Sequence, residues 1–216
     1  MKPHNIDLKK MGFYFITDST LTKKGIEEDI REALRAGVKI IQYREKSKTA
    51  REMYSESLRI KKLCDGKALL IINDRVDIAM AADADGVHLG QEDMPCAAAR
   101  FILGRKKIIG VTAHDAEEAA DAEKKGADYI GASPVFATDT KKDAGPHAGL
   151  ELIREIRKKV RIPIVAIGGI NLANIVSVMK AGADGACAIS AVIAEGKTFE
   201  ECKKFIQITE ELKENN

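Results

Sequence analysis

The sequence predicts one α/β domain, a single (β/α)8 TIM barrel over residues 1–216, with residues 1–11 as an N-terminal extension. Three observations lead there. Short β-prone runs alternate with amphipathic helical stretches along the chain. The strand runs are apolar on successive residues, as in Pro163-Ile164-Val165-Ala166-Ile167, which suits parallel strands covered on both faces. Helical stretches end on a glycine suited to a left-handed cap before the next strand, as in Ala36-Gly37, Gly126-Ala127-Asp128 and Gly182-Ala183-Asp184.

In chain order, a first strand is expected at residues 13–17, a helix at 26–36 and a second strand at 40–44. Further strands at 68–73, 86–89, 108–111, 129–132, 163–167 and 185–189, each followed by a helical candidate, bring the total to eight. Eight such units can close into a barrel, whereas a doubly wound sheet more often has five or six strands and a glycine-rich turn after the first. Ile16-Thr17-Asp18 opens no such turn. A last helix over 199–212 can lay Phe199, Cys202, Phe205, Ile206 and Leu212 on the barrel exterior. The longest irregular segment, 133–149, follows the sixth strand, and loops of that length in compact domains are often functional.

Lys plus Arg total 35 against 33 Asp plus Glu, so the formal charge of +2 gives no electrostatic reason to expect nucleic acid or an anionic membrane as partner. The opening residues MKPHNIDLKKM lack the apolar run of a secretory signal, and no stretch approaches the roughly 18 apolar residues of a membrane span. A cytoplasmic location is expected. Cys64, Cys96, Cys187 and Cys202 form no Cys-x-x-Cys pair, which favours reduced, buried thiols over a zinc site or disulfide framework. The sequence leaves the oligomeric state open, with a homo-oligomer as the working expectation.

In this architecture catalytic groups sit at the C-terminal ends of strands, and polar residues collect there. The second strand ends Gln42-Tyr43-Arg44-Glu45-Lys46, and alternation of faces lets Gln42, Arg44 and Lys46 share one side, an arrangement suited to a phosphate or diphosphate. A solvated strand end with an Arg-Glu surface pair would read the same. Asp74 and Asp93 open neighbouring loops, and Mg2+ commonly takes two such carboxylates and completes its shell with water and phosphate oxygens. Either aspartate could instead cap a helix, with Pro95 near the first helical position. The loop after the sixth strand carries Thr138, Asp139, Thr140 and Lys141, groups able to receive an anion or simply to form a turn. Gly168-Gly169-Ile170 and Ile189-Ser190 end the seventh and eighth strands, where such barrels often bind phosphate through backbone N–H groups. His88 and His114 lie near strand ends, where a hydrogen-bonding spacer role is favoured over acid–base chemistry; His4 and His147 have no companion ligands.

The ordered segments Gln42-Tyr43-Arg44-Glu45-Lys46, Ile72-Asn73-Asp74-Arg75-Val76-Asp77, Gly86-Val87-His88-Leu89-Gly90-Gln91-Glu92-Asp93-Met94-Pro95 and Thr138-Asp139-Thr140-Lys141 together resemble the thiamine phosphate synthase family, over residues 13 to about 192. The resemblance implies that Gln42, Arg44, Lys46, Asn73, Thr112 and Lys141 contact a pyrimidine diphosphate, with Tyr43 and Glu45 in the same segment, and that Asp74 and Asp93 hold Mg2+. It also implies that Thr138, Asp139, Thr140, Gly169, Ile189 and Ser190 surround a thiazole phosphate. Diphosphate would leave the pyrimidine methylene first and the thiazole nitrogen would capture the cation, so Arg44, Lys46 and Lys141 act electrostatically and no protein nucleophile is needed.

Two departures stand out: Thr112 where the family often has Ser, which keeps the hydroxyl, and Ser133-Pro134 where it often has Gly-Pro. A side chain at Ser133 is expected to restrict backbone approach or a left-handed conformation. A thiazole tautomerase of the same barrel type, and a catalytically silent phosphate-binding barrel, are the competing readings.

Overall fold

A computed structural model describes residues 7–138 and 147–214. Eight parallel strands close into a barrel in sequence order, β1 (Gly12–Ile16), β2 (Ile40–Tyr43), β3 (Leu69–Asn73), β4 (Gly86–Leu89), β5 (Ile108–Ala113), β6 (Tyr129–Ala132), β7 (Ile164–Ala166) and β8 (Gly185–Ala188), with β8 returning to pair with β1. The expected strands fall in place within one or two residues at their ends.

The connecting helices are α1 (Ile26–Ala36), α2 (Ala50–Cys64), α3 (Val76–Ala81), α4 (Cys96–Leu103), α5 (Ala116–Lys124), α6 (Gly149–Lys159), α7 (Ile175–Lys180) and α8 (Ser190–Ile193), followed by α9 (Thr198–Glu214). The glycines expected to end helices do so in the left-handed region: Gly37, Gly126 and Gly182 have φ of 106°, 95° and 110°. At Gly37 the backbone N–H returns to the carbonyls of Ala33 and Leu34, satisfying groups the helix would otherwise leave bare.

Two cores flank the strands. Outward residues such as Phe13, Phe15, Ile41, Leu70 and Ile72 pack against the helices, while Tyr14, Ile16, Ile40, Leu69, Ile71, Tyr129, Val165 and Cys187 fill the barrel. The four cysteines are free and buried.

At the N-terminal ends of the strands one device recurs three times. Asp85, Asp128 and Asp184 each stand immediately before an even-numbered strand, and each carboxylate accepts the backbone N–H of the preceding strand, from Leu70, Ile109 and Ile164. Each also binds a cation of the helix ahead of that strand, Lys61 at 2.9 Å, Arg100 at 2.5 Å and Arg157 at 2.6 Å. The buried N–H at each strand start is thereby satisfied, and one face of the barrel is pinned without loop chemistry. The opposite face is left to the site.

Candidate active site

The C-terminal ends of the strands surround an open cavity of about 310 Å³. Gln42, Arg44 and Lys46 reach it from β2, Asn73 and Asp74 from β3, and Asp93 from the loop after β4. Thr112 reaches it from β5, Thr138 from the loop after β6, Gly169 after β7, and Ile189 and Ser190 after β8. Residues scattered over most of the chain thus meet on one rim, as expected. Asp139, Thr140 and Lys141 lie outside the described residues, as does His4.

Tyr43 and Glu45, which the resemblance placed in the pyrimidine-binding segment, do not line the cavity. Strand alternation aims Gln42 and Arg44 inward and Tyr43 toward the helices, where its hydroxyl donates to Glu56 Oε2 on α2 at 2.5 Å. The Glu45 carboxylate folds back over its own loop, accepting the N–H of Lys46 and Ser47 and the Ser47 hydroxyl at 2.8 Å each. Burial alone would raise its pKa, but these hydrogen bonds and the nearby Lys48 hold it at about 2. Glu45 shapes the loop that presents Lys46.

The two aspartates meet. Asp93 is held above the ordinary carboxylate range, first by burial and then by the Asp74 carboxyl beside it. Neither caps a helix: α3 and α4 have no side-chain cap, and Asp93 Oδ2 instead accepts the Gly90 N–H at 2.6 Å. Asp74 has φ of 62°, the left-handed conformation that Asp tolerates better than most residues and that often marks functional loops. Lys46 Nζ lies 2.6 Å from Asp74 Oδ2, and Arg44 Nη1 lies 2.6 Å from Asp18 Oδ2. Arg44 and Lys46 therefore face the three carboxylates of Asp18, Asp74 and Asp93. A divalent cation would reverse that balance and make the rim attractive to a diphosphate, so the donor set fits Mg2+.

Sequence reasoning passed over Tyr14, Asp18, Gln91 and Tyr129. Asp18 holds Arg44 and is itself tied to Thr20. Gln91 Nε2 donates to the Thr112 carbonyl at 2.6 Å, fastening the loop that carries Asp93 to β5. Tyr14 and Tyr129 are buried at the cavity floor, beneath His88, whose ring stacks on Tyr129 at 5.5 Å. Both His88 ring nitrogens are in hydrogen bonds, to the Tyr129 and Thr112 hydroxyls. His114 also lines the cavity and faces Glu118 at 3.0 Å.

Ser133 has no left-handed backbone, and its N–H joins the Ala113 carbonyl at 3.2 Å. The close approach in this region is made instead by Gly168 and Gly169, with φ of 101° and 62°. A Cβ on Gly168 would stand 2.8 Å from Pro134 Cβ, and one on Gly169 2.5 Å from the Ala137 carbonyl oxygen. Val135 and Phe136 donate to the carbonyls of Ile167 and Gly168, docking the start of the β6 loop onto this glycine pair.

Residues 13–192 match the family model described as thiamine monophosphate synthase. The chain belongs to the thiamine monophosphate synthase family. A thiamine-phosphate synthase from Methanosarcina mazei is 53% identical over 206 residues, covering 95% of this chain and 86% of that protein. One from Methanosarcina barkeri is 51% identical, covering 93% and 91%. A solved thiamine phosphate pyrophosphorylase from Pyrococcus furiosus superposes with a TM-score of 0.86 at 44% identity, covering 95% of this chain and 98% of that one. Membership makes the chain a transferase of thiamine biosynthesis, and the barrel, the rim and the family agree.

Proposed function

We propose that the protein joins 4-amino-2-methyl-5-(diphosphooxymethyl)pyrimidine to 4-methyl-5-(2-phosphooxyethyl)thiazole, or its 2-carboxy form, giving thiamine phosphate and pyrophosphate. The observation that carries this reading is the Asp74–Asp93 carboxyl pair set beside Lys46 and Arg44 on one side of the cavity, with Gly169 and Ser190 on the lining as well. The first group suits a diphosphate, the second a phosphate.

Asp74 and Asp93 would hold Mg2+, which when bound would neutralise charge on the departing diphosphate. Arg44, Lys46 and Lys141 would bind the same group, and Arg44, kept in place by Asp18, has guanidinium donors to spare after that pair. Gln42, Asn73 and Thr112 would orient the pyrimidine so that its methylene faces the thiazole nitrogen. Thr138, Thr140, Gly169, Ile189 and Ser190 would receive the thiazole phosphate; Ser190 opens α8, so its N–H has no intrahelical acceptor.

Departure of diphosphate before attack is favoured by a lining that concentrates charge at the leaving group and pairs no Cys or Ser with a base for nucleophilic work among the described residues. Small-molecule partners account for the site. No helix among the described residues is long and apolar enough to cross a membrane, which fits a cytoplasmic enzyme.

The test is pyrophosphate release by the purified protein with both substrates, with and without Mg2+, and mass-spectrometric detection of thiamine phosphate. Product that needs both substrates and the metal is expected. Folded protein that yields none would overturn the reading.

A further inference from the structure

Five side chains from five strands make one unbroken hydrogen-bond chain through the barrel interior. Gln42 Nε2 donates to the Tyr14 hydroxyl at 3.0 Å, and Tyr14 meets the Tyr129 hydroxyl at 2.9 Å. Tyr129 meets His88 Nδ1 at 2.9 Å, and His88 Nε2 meets Thr112 Oγ1 at 3.0 Å. Burial pushes both tyrosine hydroxyls well above their ordinary pKa, so each supplies one proton at neutral pH.

A hydroxyl that accepts from one neighbour has a single proton to give to the other, so with a neutral imidazole the chain has two end-to-end polarities. With Gln42 Nε2 donating, Tyr14 donates to Tyr129, Tyr129 donates to His88 Nδ1, and the imidazole carries its proton on Nε2, directed at Thr112. In the reverse polarity the proton sits on Nδ1, Thr112 donates to Nε2, and Gln42 turns its carbonyl oxygen to Tyr14. The histidine tautomer at one end and the glutamine amide at the other are thus a single variable.

With Gln42 Nε2 turned to Tyr14, Gln42 Oε1 accepts from no side chain among the described residues, and Gln42 lies on the cavity wall. Gly110 and Gly131 leave the space that the Tyr129 and His88 rings occupy, since a Cβ on Gly131 would stand 2.9 Å from His88 Cε1. We propose that the relay of Tyr14, Tyr129 and His88 locks the Gln42 amide with its oxygen toward the cavity, selecting a heteroaromatic ring that offers an exocyclic amino donor. The three are positioning residues, acting through the Gln42 amide. This rests on the aminopyrimidine reading above and adds the device that enforces it. A flipped amide would set N–H against N–H, and a site built around one buried hydrogen bond rejects the wrong partner strongly.

Two measurements test it. Correlation of imidazole ¹⁵N and ¹H signals in the ligand-free protein is expected to show His88 protonated on Nε2 and bare on Nδ1; a proton resident on Nδ1 would overturn the relay. Tyr129→Phe removes one oxygen from its middle. It is expected to raise KM for the aminopyrimidine diphosphate about tenfold, the scale of one hydrogen bond, and to lower the preference over a 4-oxo analogue by the same factor. KM for the thiazole phosphate should hold, and His88→Gln, which can both accept and donate, should recover more of the preference than His88→Phe. Equal losses toward both substrates with unchanged discrimination would reduce the network to packing. If the aminopyrimidine reading itself fails, wild-type protein turns over no pyrimidine diphosphate while the ¹⁵N result still stands or falls alone.

Discussion

Gly110 lies opposite Tyr129 across the β5–β6 ladder, and a Cβ on Gly110 would stand 2.0 Å from Tyr129 Cζ and 2.4 Å from its hydroxyl oxygen. The glycine is there because the aromatic ring lies over its backbone. Gly110→Ala is therefore expected to cost about 1–3 kcal/mol, the range for overpacking a filled core, and to push the Tyr129 hydroxyl off His88. Chemical denaturation would read the first effect and the His88 ¹⁵N signals the second; a variant with wild-type stability would contradict the crowding.

Asp93→Asn separates metal binding from folding. Its folded pKa is raised by burial and by Asp74, so its favourable contribution is fully present below the unfolded carboxylate value of about 3.9 and is lost as pH rises through the raised folded value. At neutral pH the metal-free pair opposes folding, and the asparagine, which keeps an acceptor for the Gly90 N–H, should match or exceed the wild-type Tm. Its advantage should grow from about pH 4 upward. Thermal shift with Mg2+ completes the test: the wild-type protein gains Tm and the variant gains little. A Mg2+ response equal in both would remove Asp93 from the metal site.

Tyr43→Phe tests whether the Tyr43 side chain serves the fold or the pyrimidine pocket. The variant loses the hydrogen bond to Glu56, which keeps Lys48 and Arg59 as ion-pair partners, and should lose about 1–3 kcal/mol of stability. Both KM values and kcat should stay at wild-type levels. A selective rise in KM for the pyrimidine diphosphate would return Tyr43 to the pocket.

Asp128→Ala probes the pinned face. It strands the buried N–H of Ile109 and breaks the pair with Arg100, with an expected cost of about 1–3 kcal/mol. The candidate active site lies at the other end of the strands, so saturating turnover below the melting range should be unaffected. Denaturant midpoints and steady-state rates, measured side by side, decide it.

Strand and helix positions were legible because apolar periodicity and glycine punctuation are local signals, and the barrel followed from counting them. The rim was legible through its charged residues, which is why Arg44, Lys46, Asp74 and Asp93 were found. What escaped was long-range. Tyr14 and Tyr129 read as ordinary β-formers, and only a register that sets them 2.9 Å apart makes them part of a polar network. Asp128 and Asp184 were visible as a spacing after helix-ending glycines, whereas Asp85 follows none, and in all three cases the partner N–H group belongs to the preceding strand, which no short sequence window contains. Tyr43 and Glu45 differ from their neighbours in the segment: the two-residue period of a strand turns the Tyr43 side chain away from the cavity that Gln42 and Arg44 line.

The pairing of β8 with β1 also bears on how the chain is made. Gly12 and its neighbours take Gly185 and the following residues as partners, so one flank of β1 waits for a segment that leaves the ribosome about 170 residues later. At typical elongation rates that wait is on the order of ten to thirty seconds. During it the nascent sheet carries an open, apolar edge able to recruit a foreign strand. Yield in a cell should then depend on how well that edge is sheltered during synthesis, and slowing the ribosome late in the message should harm it more than weakening any one contact in the finished ring.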